Sequence, residues 1–268
     1  MSNQKPTILA FHGSGCNATI HTVQIARLSR LLNPHFNIRH IEGPFPSAAG
    51  PGVLPFFDGC GPFKRWIPPS DAARIAREGV EKEKGTAHSA GTFMAEEVVA
   101  LIVQEVGKVR ALGGKVVGVL GFSQGTRVVA GLLRAAEIRR EIIAERKIQG
   151  GDDMDWLSDI EFGLSICGSY PPILLPGGFL KSQDLKVESG EELVERGKKK
   201  IQLPCLHAQG RQDEWEWAGR LLIDGCYEVG EGKSLVLELE MGHFYPTKVE
   251  DNERIRDWAL ETYNRTCL

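Results

Sequence analysis

A serine in the middle of the chain lies in a pattern that is typical of an enzymatic nucleophile. Ser123 is the centre of the stretch Gly121-Phe122-Ser123-Gln124-Gly125. An apolar run at 115–120 precedes it, and a helical pattern follows at once. A strand, a tight turn and a helix in this order leave the serine exposed, and the small glycines let strand and helix pack closely. We therefore predict that Ser123 is a nucleophile; the alternative is that it only caps the helix.

A serine hydroxyl needs a base to remove its proton, and histidine is the usual one because its pKa lies near the working pH. A carboxylate then fixes the histidine tautomer and stabilises the imidazolium. In α/β-hydrolases the order along the chain is Ser, then Asp or Glu, then His. Of the seven histidines only His207 and His243 follow Ser123. His243 is favoured because it follows the last predicted strand in a loop, whereas His207 lies inside a predicted strand.

Asp213 is the predicted carboxylate partner of this histidine. It follows the predicted strand 201–208 after a short turn that contains glycine. This position is the carboxyl edge of a sheet, where ligand sites of open α/β folds collect. Glu214 is its nearest rival. Asp224 ends a predicted helix, and the acidic residues Asp152, Asp153 and Asp155 have no strand before them.

Acyl transfer through a tetrahedral intermediate also needs two N–H donors for the oxyanion. The backbone amide of Gln124, directly after the nucleophile, is one candidate. The other is expected in the loop His12-Gly13-Ser14-Gly15 after the first predicted strand, and we predict the amide of Ser14. The His12 side chain is expected to be structural, with hydrogen bonds inside that loop.

The elements that must position these groups alternate along the chain. Strands are predicted at 7–11, 36–41, 115–120, 162–167, 201–208 and 234–239, and helices at 18–32, 91–112, 124–145, 215–223 and 249–263. This alternation predicts one α/β domain over 1–268, with a mostly parallel central sheet and helices on both faces. Two further stretches, about 43–90 and 170–200, are predicted to be lid-like loops. The aromatic residues of the first would either line an acyl-binding cleft or pin the loop to the core.

The composition excludes several other classes of function. A net charge of -3 argues against a nucleic-acid partner. The sequence has no apolar stretch of membrane-spanning length, and the apolar run near its start is too short for a signal peptide, so a cytoplasmic location is expected. The six cysteines show no zinc-binding spacing, so neither a metal nor a cofactor is expected. Cys167 and Cys205 are expected to be buried free thiols.

Taken together, these motifs resemble those of the fungal serine hydrolase family. The resemblance rests on Phe11-His12-Gly13-Ser14-Gly15-Cys16-Asn17-Ala18, Gly50-Pro51-Gly52-Val53, Gly121-Phe122-Ser123-Gln124-Gly125 and Met241-Gly242-His243. It implies an α/β-hydrolase fold in which Ser123, Asp213 and His243 form a triad. It also implies ester or thioester substrates, and several similar members release acyl chains from fungal polyketide synthases.

The expected activity is therefore that of an esterase or thioesterase, acting on an acyl group that an acyl carrier protein could hold. Two features depart from the family pattern, the aromatic turn 213–217 and the acidic segment 146–160, and both bear on substrate choice. Two alternatives stay open: acyl transfer or lactone formation with the same triad, and a binding protein without catalysis.

Overall fold

Six strands, all paired in parallel, form the central sheet in the computed structural model, which describes residues 4–69, 92–146, 154–177 and 190–266. The strands of this sheet are β1 (Thr7–Phe11), β2 (Asn37–Ile41), β6 (Val116–Phe122), β7 (Phe162–Ile166), β9 (Cys205–Gly210) and β10 (Leu235–Leu239). Their order across the sheet is β10-β9-β7-β6-β1-β2. Every pair of neighbours is parallel, so all six carboxyl ends lie at one edge.

The four central strands are buried along their whole length, which explains their mostly apolar character. The exceptions in β7 and β9 are the buried polar residues Ser165, His207 and Gln209. In β1 the side chains alternate between two cores. Ile8 and Ala10 pack into one of them, and Leu9 and Phe11 pack into the other. Helices therefore cover both faces of the sheet, as the sequence predicts.

The helices in the described part of the chain are α1 (Ala18–Gln24), α2 (Ala26–Leu32), α3 (Glu96–Ala111), α4 (Gly125–Arg146), α5 (Gly190–Gly197), α6 (Glu216–Cys226) and α7 (Val249–Thr266), with a 3-10 turn at Asp155–Asp159. Helices α3 and α4 pack on one face of the sheet, and α2 and α7 pack on the other. Within these described ranges no helix is both long and apolar enough to cross a membrane.

The first part of the predicted lid-like loop 43–90 is hydrogen-bonded to the loop that follows β1. Strands β3 (Phe45–Ser47) and β4 (Phe63–Arg65) form an antiparallel pair. Gly15 donates to the carbonyl of Lys64 at 2.9 Å and accepts from the N–H of Gly50 at 3.0 Å. A side chain at Gly15 would lie 2.0 Å from that nitrogen, so only glycine fits there. The parts of the two lid-like loops at 70–90 and 178–189 lie outside the described residues.

Several element boundaries differ from the prediction. The helix expected over 18–32 is divided at Ile25, where the backbone has φ -89 and ψ 2. The helix expected over 91–112 begins only at Glu96, because β5 (Thr92–Phe93) pairs with β8 (Leu174–Leu175). Strand β9 is shifted towards Gly210 since its partners lie on β7 and β10. Residues 147–153 of the acidic segment 146–160 lie outside the described residues.

Candidate active site

Ser123 occupies a strained turn between β6 and α4. Its φ of +48 is left-handed, a conformation that costs an L-residue about 1–2 kcal/mol. A side chain at Gly121 would lie 2.6 Å from the backbone of Gly125, and one at Gly125 would lie 2.2 Å from the carbonyl of Phe11. Both glycines of the motif are therefore required by close packing. The Ser123 N–H donates to Ile166 at 3.0 Å, which ties the turn to β7.

Asp213 and His243 come together at the same edge of the sheet. Asp213 follows β9, His243 follows β10, and Nδ1 of the histidine lies 2.8 Å from Oδ2 of the aspartate. The second carboxylate oxygen accepts the N–H of Trp215 at 2.8 Å. Burial by itself would raise the pKa of the Asp213 carboxyl, but the hydrogen bonds from His243 and Trp215 bring that pKa below its usual value. Asp213 is therefore held as a buried carboxylate.

This hydrogen bond fixes the tautomer of His243. An ionised carboxylate can only accept, so Nδ1 carries the hydrogen and Nε2 is left able to take a proton. The ring of Phe122, the residue before the serine, lies 5.1 Å from the His243 ring. No hydrogen bond joins Ser123 Oγ to His243 among the described residues; such bonds commonly tighten only when substrate is bound.

The loop after β1 lies beside the serine, where an oxyanion site is predicted. A side chain at Gly13 would be 3.3 Å from Cβ of Ser123. Within the described chain the N–H groups of Ser14 and Gln124 have no hydrogen-bond acceptor. These two amides are therefore available to a ligand, and the assignment of the Ser14 amide stays a prediction.

Trp66 links the loop after β1 to the turn at Ser123, a connection that the sequence pattern does not predict. Its indole Nε1 donates to the carbonyl of His12 at 2.7 Å, and its backbone N–H donates to Oε1 of Gln124 at 2.8 Å. The side chain is 1% exposed. Of the aromatic residues in the predicted lid, Trp66 thus pins the loop to the core, whereas Phe56 is 85% exposed.

His12 is structural, as expected. Nδ1 donates to the carbonyl of Gly13 at 2.7 Å, and Nε2 accepts the N–H of Gly43 at 2.9 Å. Burial lowers the pKa of His12 to about 4, so the ring stays neutral and can make both bonds. This ring supports the loop without being a proton carrier.

His207, the other candidate base, lies far inside strand β9. Its ring is fully buried and packs edge-on against Tyr227, with centroids 4.3 Å apart. Neither ring nitrogen has a hydrogen-bond partner among the described residues. Burial lowers the pKa of His207 to about 3. The carboxylate partner is absent here and present at His243, so the geometry favours His243.

Cys167 is buried, as predicted, but its position beside the candidate acid and base was not foreseen. Its Sγ, a carboxylate oxygen of Asp213 and a ring nitrogen of His243 all lie within 4.8 Å of one another. Among the described residues this is the one cluster whose donor atoms could surround a metal ion. Nδ1 of His243 carries a hydrogen in its bond to Asp213 and so has no free lone pair for a metal.

Aromatic side chains surround this edge of the sheet. The rings of Tyr170 and Trp217 are nearly parallel with centroids 6.3 Å apart, and Trp215 lies 6.4 Å from Trp217. The Arg127 guanidinium lies 5.4 Å from the centre of the Tyr170 ring. Phe244, next to the histidine, is 48% exposed. A groove of about 600 Å³ elsewhere, between Glu42, Lys64 and Glu97, contains none of the candidate catalytic groups.

Comparison with known proteins agrees with this architecture. The chain is 28% identical to the esterase FUS5 of Gibberella fujikuroi over 97% of its own length and 88% of that protein. It is 27% identical to the thioesterase FSL2 of Gibberella zeae, covering 97% and 93% of the two chains. It is 26% identical to the dihydromonacolin L-[lovastatin nonaketide synthase] thioesterase of Aspergillus terreus, covering 96% and 90%. Residues 1–255 match the family described as serine hydrolase (FSH1). The chain therefore belongs to this serine hydrolase family, with an α/β-hydrolase fold.

Proposed function

We propose that this enzyme cleaves a carboxylic ester or thioester through an acyl-enzyme on Ser123. The observation that carries the proposal is the hydrogen bond from His243 to the buried carboxylate of Asp213 at 2.8 Å. This pair lies at the sheet edge where the left-handed turn presents Ser123. The proposed nucleophile, orienting acid and base thus follow three strands of one parallel sheet, β6, β9 and β10.

The reaction proceeds in two halves that use the same groups. Nε2 of His243 takes the Ser123 proton as Oγ attacks the acyl carbon, and Asp213 stabilises the imidazolium. The N–H groups of Ser14 and Gln124 bind the oxyanion. The imidazolium then protonates the leaving alcohol or thiol, and water, activated by the same histidine, releases the acid.

We further propose that the preferred substrate is a thioester of an apolar acyl or polyketide chain. Two of the relatives above are named thioesterases, and one of those names refers to a polyketide synthase. Trp215 and Phe244 flank Asp213 and His243, which would bring the acyl part against aromatic rings. Delivery by an acyl carrier protein and a cytoplasmic location stay predictions.

The nucleophile is tested by labelling the intact protein with a fluorophosphonate probe. Wild type and Ser158→Ala, a serine in the 3-10 turn away from the site, should be labelled equally. Ser123→Ala should not react, and His243→Ala should react far more slowly because the base is lost. Equal labelling of Ser123→Ala and wild type would overturn the assignment.

The substrate class is tested with matched acyl groups offered as an alkyl ester and as an N-acetylcysteamine thioester. A higher kcat/KM for the thioester supports a thioesterase, and the reverse order supports an esterase. A thioester with a remote hydroxyl separates hydrolysis from ring closure. Free acid as the product supports the proposal, whereas a lactone without free acid contradicts it.

A further inference from the structure

Cys167 has an unusual backbone conformation at a position next to the candidate catalytic groups. It is the first residue after β7 and has φ +47. In the described part of the chain only Ser123 shares this left-handed conformation without being glycine. Such strain is kept where the surrounding structure requires a side chain in a particular place.

The thiol is aimed at the backbone that carries the candidate base. Sγ lies 3.7 Å from the carbonyl oxygen of Gly242 and 3.6 Å from that of Phe244, the two residues that flank His243. The backbone N–H of Cys167 donates to Ala208 on β9 at 2.9 Å, close to the point from which Asp213 follows. The side chain is fully buried. Cys167 thus connects the chain segments that carry the acid and the base.

The thiol has one hydrogen, and the acceptors around it include two carbonyl oxygens within 3.7 Å and a carboxylate oxygen within 4.8 Å. Two are neutral carbonyls, and that of Gly242 already accepts the Phe244 N–H at 2.9 Å. The third is the Asp213 carboxylate, whose full charge makes it the strongest acceptor. Each carboxylate oxygen can accept more than one hydrogen bond, so the thiol can donate to Asp213 while His243 and Trp215 also donate to it.

The charge state of the group agrees with this donor role. Burial and the neighbouring Asp213 carboxylate hold the pKa of Cys167 well above its ordinary value. Tyr245, the other titratable group affected by Cys167, likewise has its pKa raised, chiefly by burial. The sulfur therefore keeps its hydrogen and donates it.

We propose that Cys167 is a positioning residue, whose S–H donates to Asp213 while its sulfur packs against the backbone on either side of His243. It acts through these two residues and does not touch the substrate. The inference rests on the roles proposed above for Asp213 and His243.

The test compares Cys167→Ala, which removes the donor, with Cys167→Ser, which keeps one. In Cys167→Ala we expect kcat to fall about threefold to tenfold, the factor that one modest hydrogen bond represents, with KM within about twofold. Cys167→Ser should restore kcat. If the alanine and serine variants both keep wild-type kcat, or both lose it equally, the proposal is overturned.

The low-field proton resonance of the His243 Nδ1–H gives a readout that needs no substrate. Without the thiol donor, Asp213 accepts more strongly from His243, so this resonance should move to lower field in Cys167→Ala and not in Cys167→Ser. Cys205→Ala, which removes another fully buried thiol, should leave it unchanged. An unchanged resonance in Cys167→Ala would contradict the positioning role.

Cys167→Gly separates the thiol from the backbone strain, since glycine adopts φ +47 without cost. We expect it to behave like Cys167→Ala; wild-type kcat in the glycine variant would contradict the role of the thiol. The resonance also separates the two proposals. If the protein hydrolyses neither the ester nor the thioester, the proposed function is refuted. The positioning role is still supported in that case if the His243 Nδ1–H resonance shifts only in the variants that lack the donor at Cys167.

Discussion

The buried histidine of β9 makes the stability of this protein depend on pH in a way that can be calculated. We consider the substitution His207→Phe, which keeps a ring against Tyr227 and removes the titrating group. In the wild type, burial lowers the pKa of His207 to about 3, whereas an unfolded histidine has a pKa of about 6.5. Below about pH 6.5 His207 binds a proton in the unfolded chain but not in the folded chain. Stability is therefore fully present above about pH 6.5 and is lost as the pH falls towards the folded pKa.

The magnitude follows from the two pKa values. At about pH 5 the unfolded chain gains roughly 2 kcal/mol by protonating this one histidine, and at about pH 7.5 it gains roughly 0.1 kcal/mol. The folded chain gains almost nothing at either pH. The free energy of unfolding of the wild type should therefore fall by about 2 kcal/mol more over this interval than that of His207→Phe. His12, His21 and His40 are present in both proteins, so their contributions cancel.

The assay is urea-induced unfolding at the two pH values, followed by tryptophan fluorescence. Cys205→Ala is the matched control, because it removes a buried side chain of the same strand and should lose the same stability at both pH values. An equal pH-dependent loss in wild type and His207→Phe would refute the reasoning. The variant should also keep its reaction with the fluorophosphonate probe, since the proposed base is His243.

Four further variants test the site and the packing of the protein. Asp213→Asn should leave the fold intact and lower kcat by about 10⁴-fold, because the amide favours the wrong tautomer of His243; this is measured with the thioester substrate, and a loss below tenfold would contradict the assigned role. Gly107→Ala, with nothing within 4 Å of the new methyl group, should raise stability by about 0.5–1 kcal/mol. Gly131→Ala, whose methyl group would lie 1.7 Å from the carbonyl of Leu174, should lower stability by about 1–3 kcal/mol, and equal melting temperatures of the two variants would refute the argument. Trp66→Phe removes the hydrogen bond to His12 and should lower kcat about threefold to tenfold, with circular dichroism to show that the fold is kept.

The sequence by itself determined the strands of the central sheet and the candidate catalytic residues. Strands buried on both faces are mostly apolar, which makes β1, β6 and β7 easy to recognise. Because the strands are parallel, their carboxyl ends meet at one edge. Chain order and strand position therefore sufficed to place Ser123, Asp213 and His243 at the same edge before any distance was known.

The tertiary structure alone decided which other residues support these three. Trp66 and His12 are 54 positions apart, and Cys167 and Gly242 are 75 apart. No local pattern marks such contacts, since tryptophan and cysteine occur in many buried runs for packing alone. Short elements such as β5 and β8 were missed for the same reason, because their two-residue pairing is stabilised by neighbours distant in sequence. Periodicity and chain order indicate the local structure of a residue. The contacts that support the candidate catalytic residues depend instead on which loops meet when the sheet is assembled.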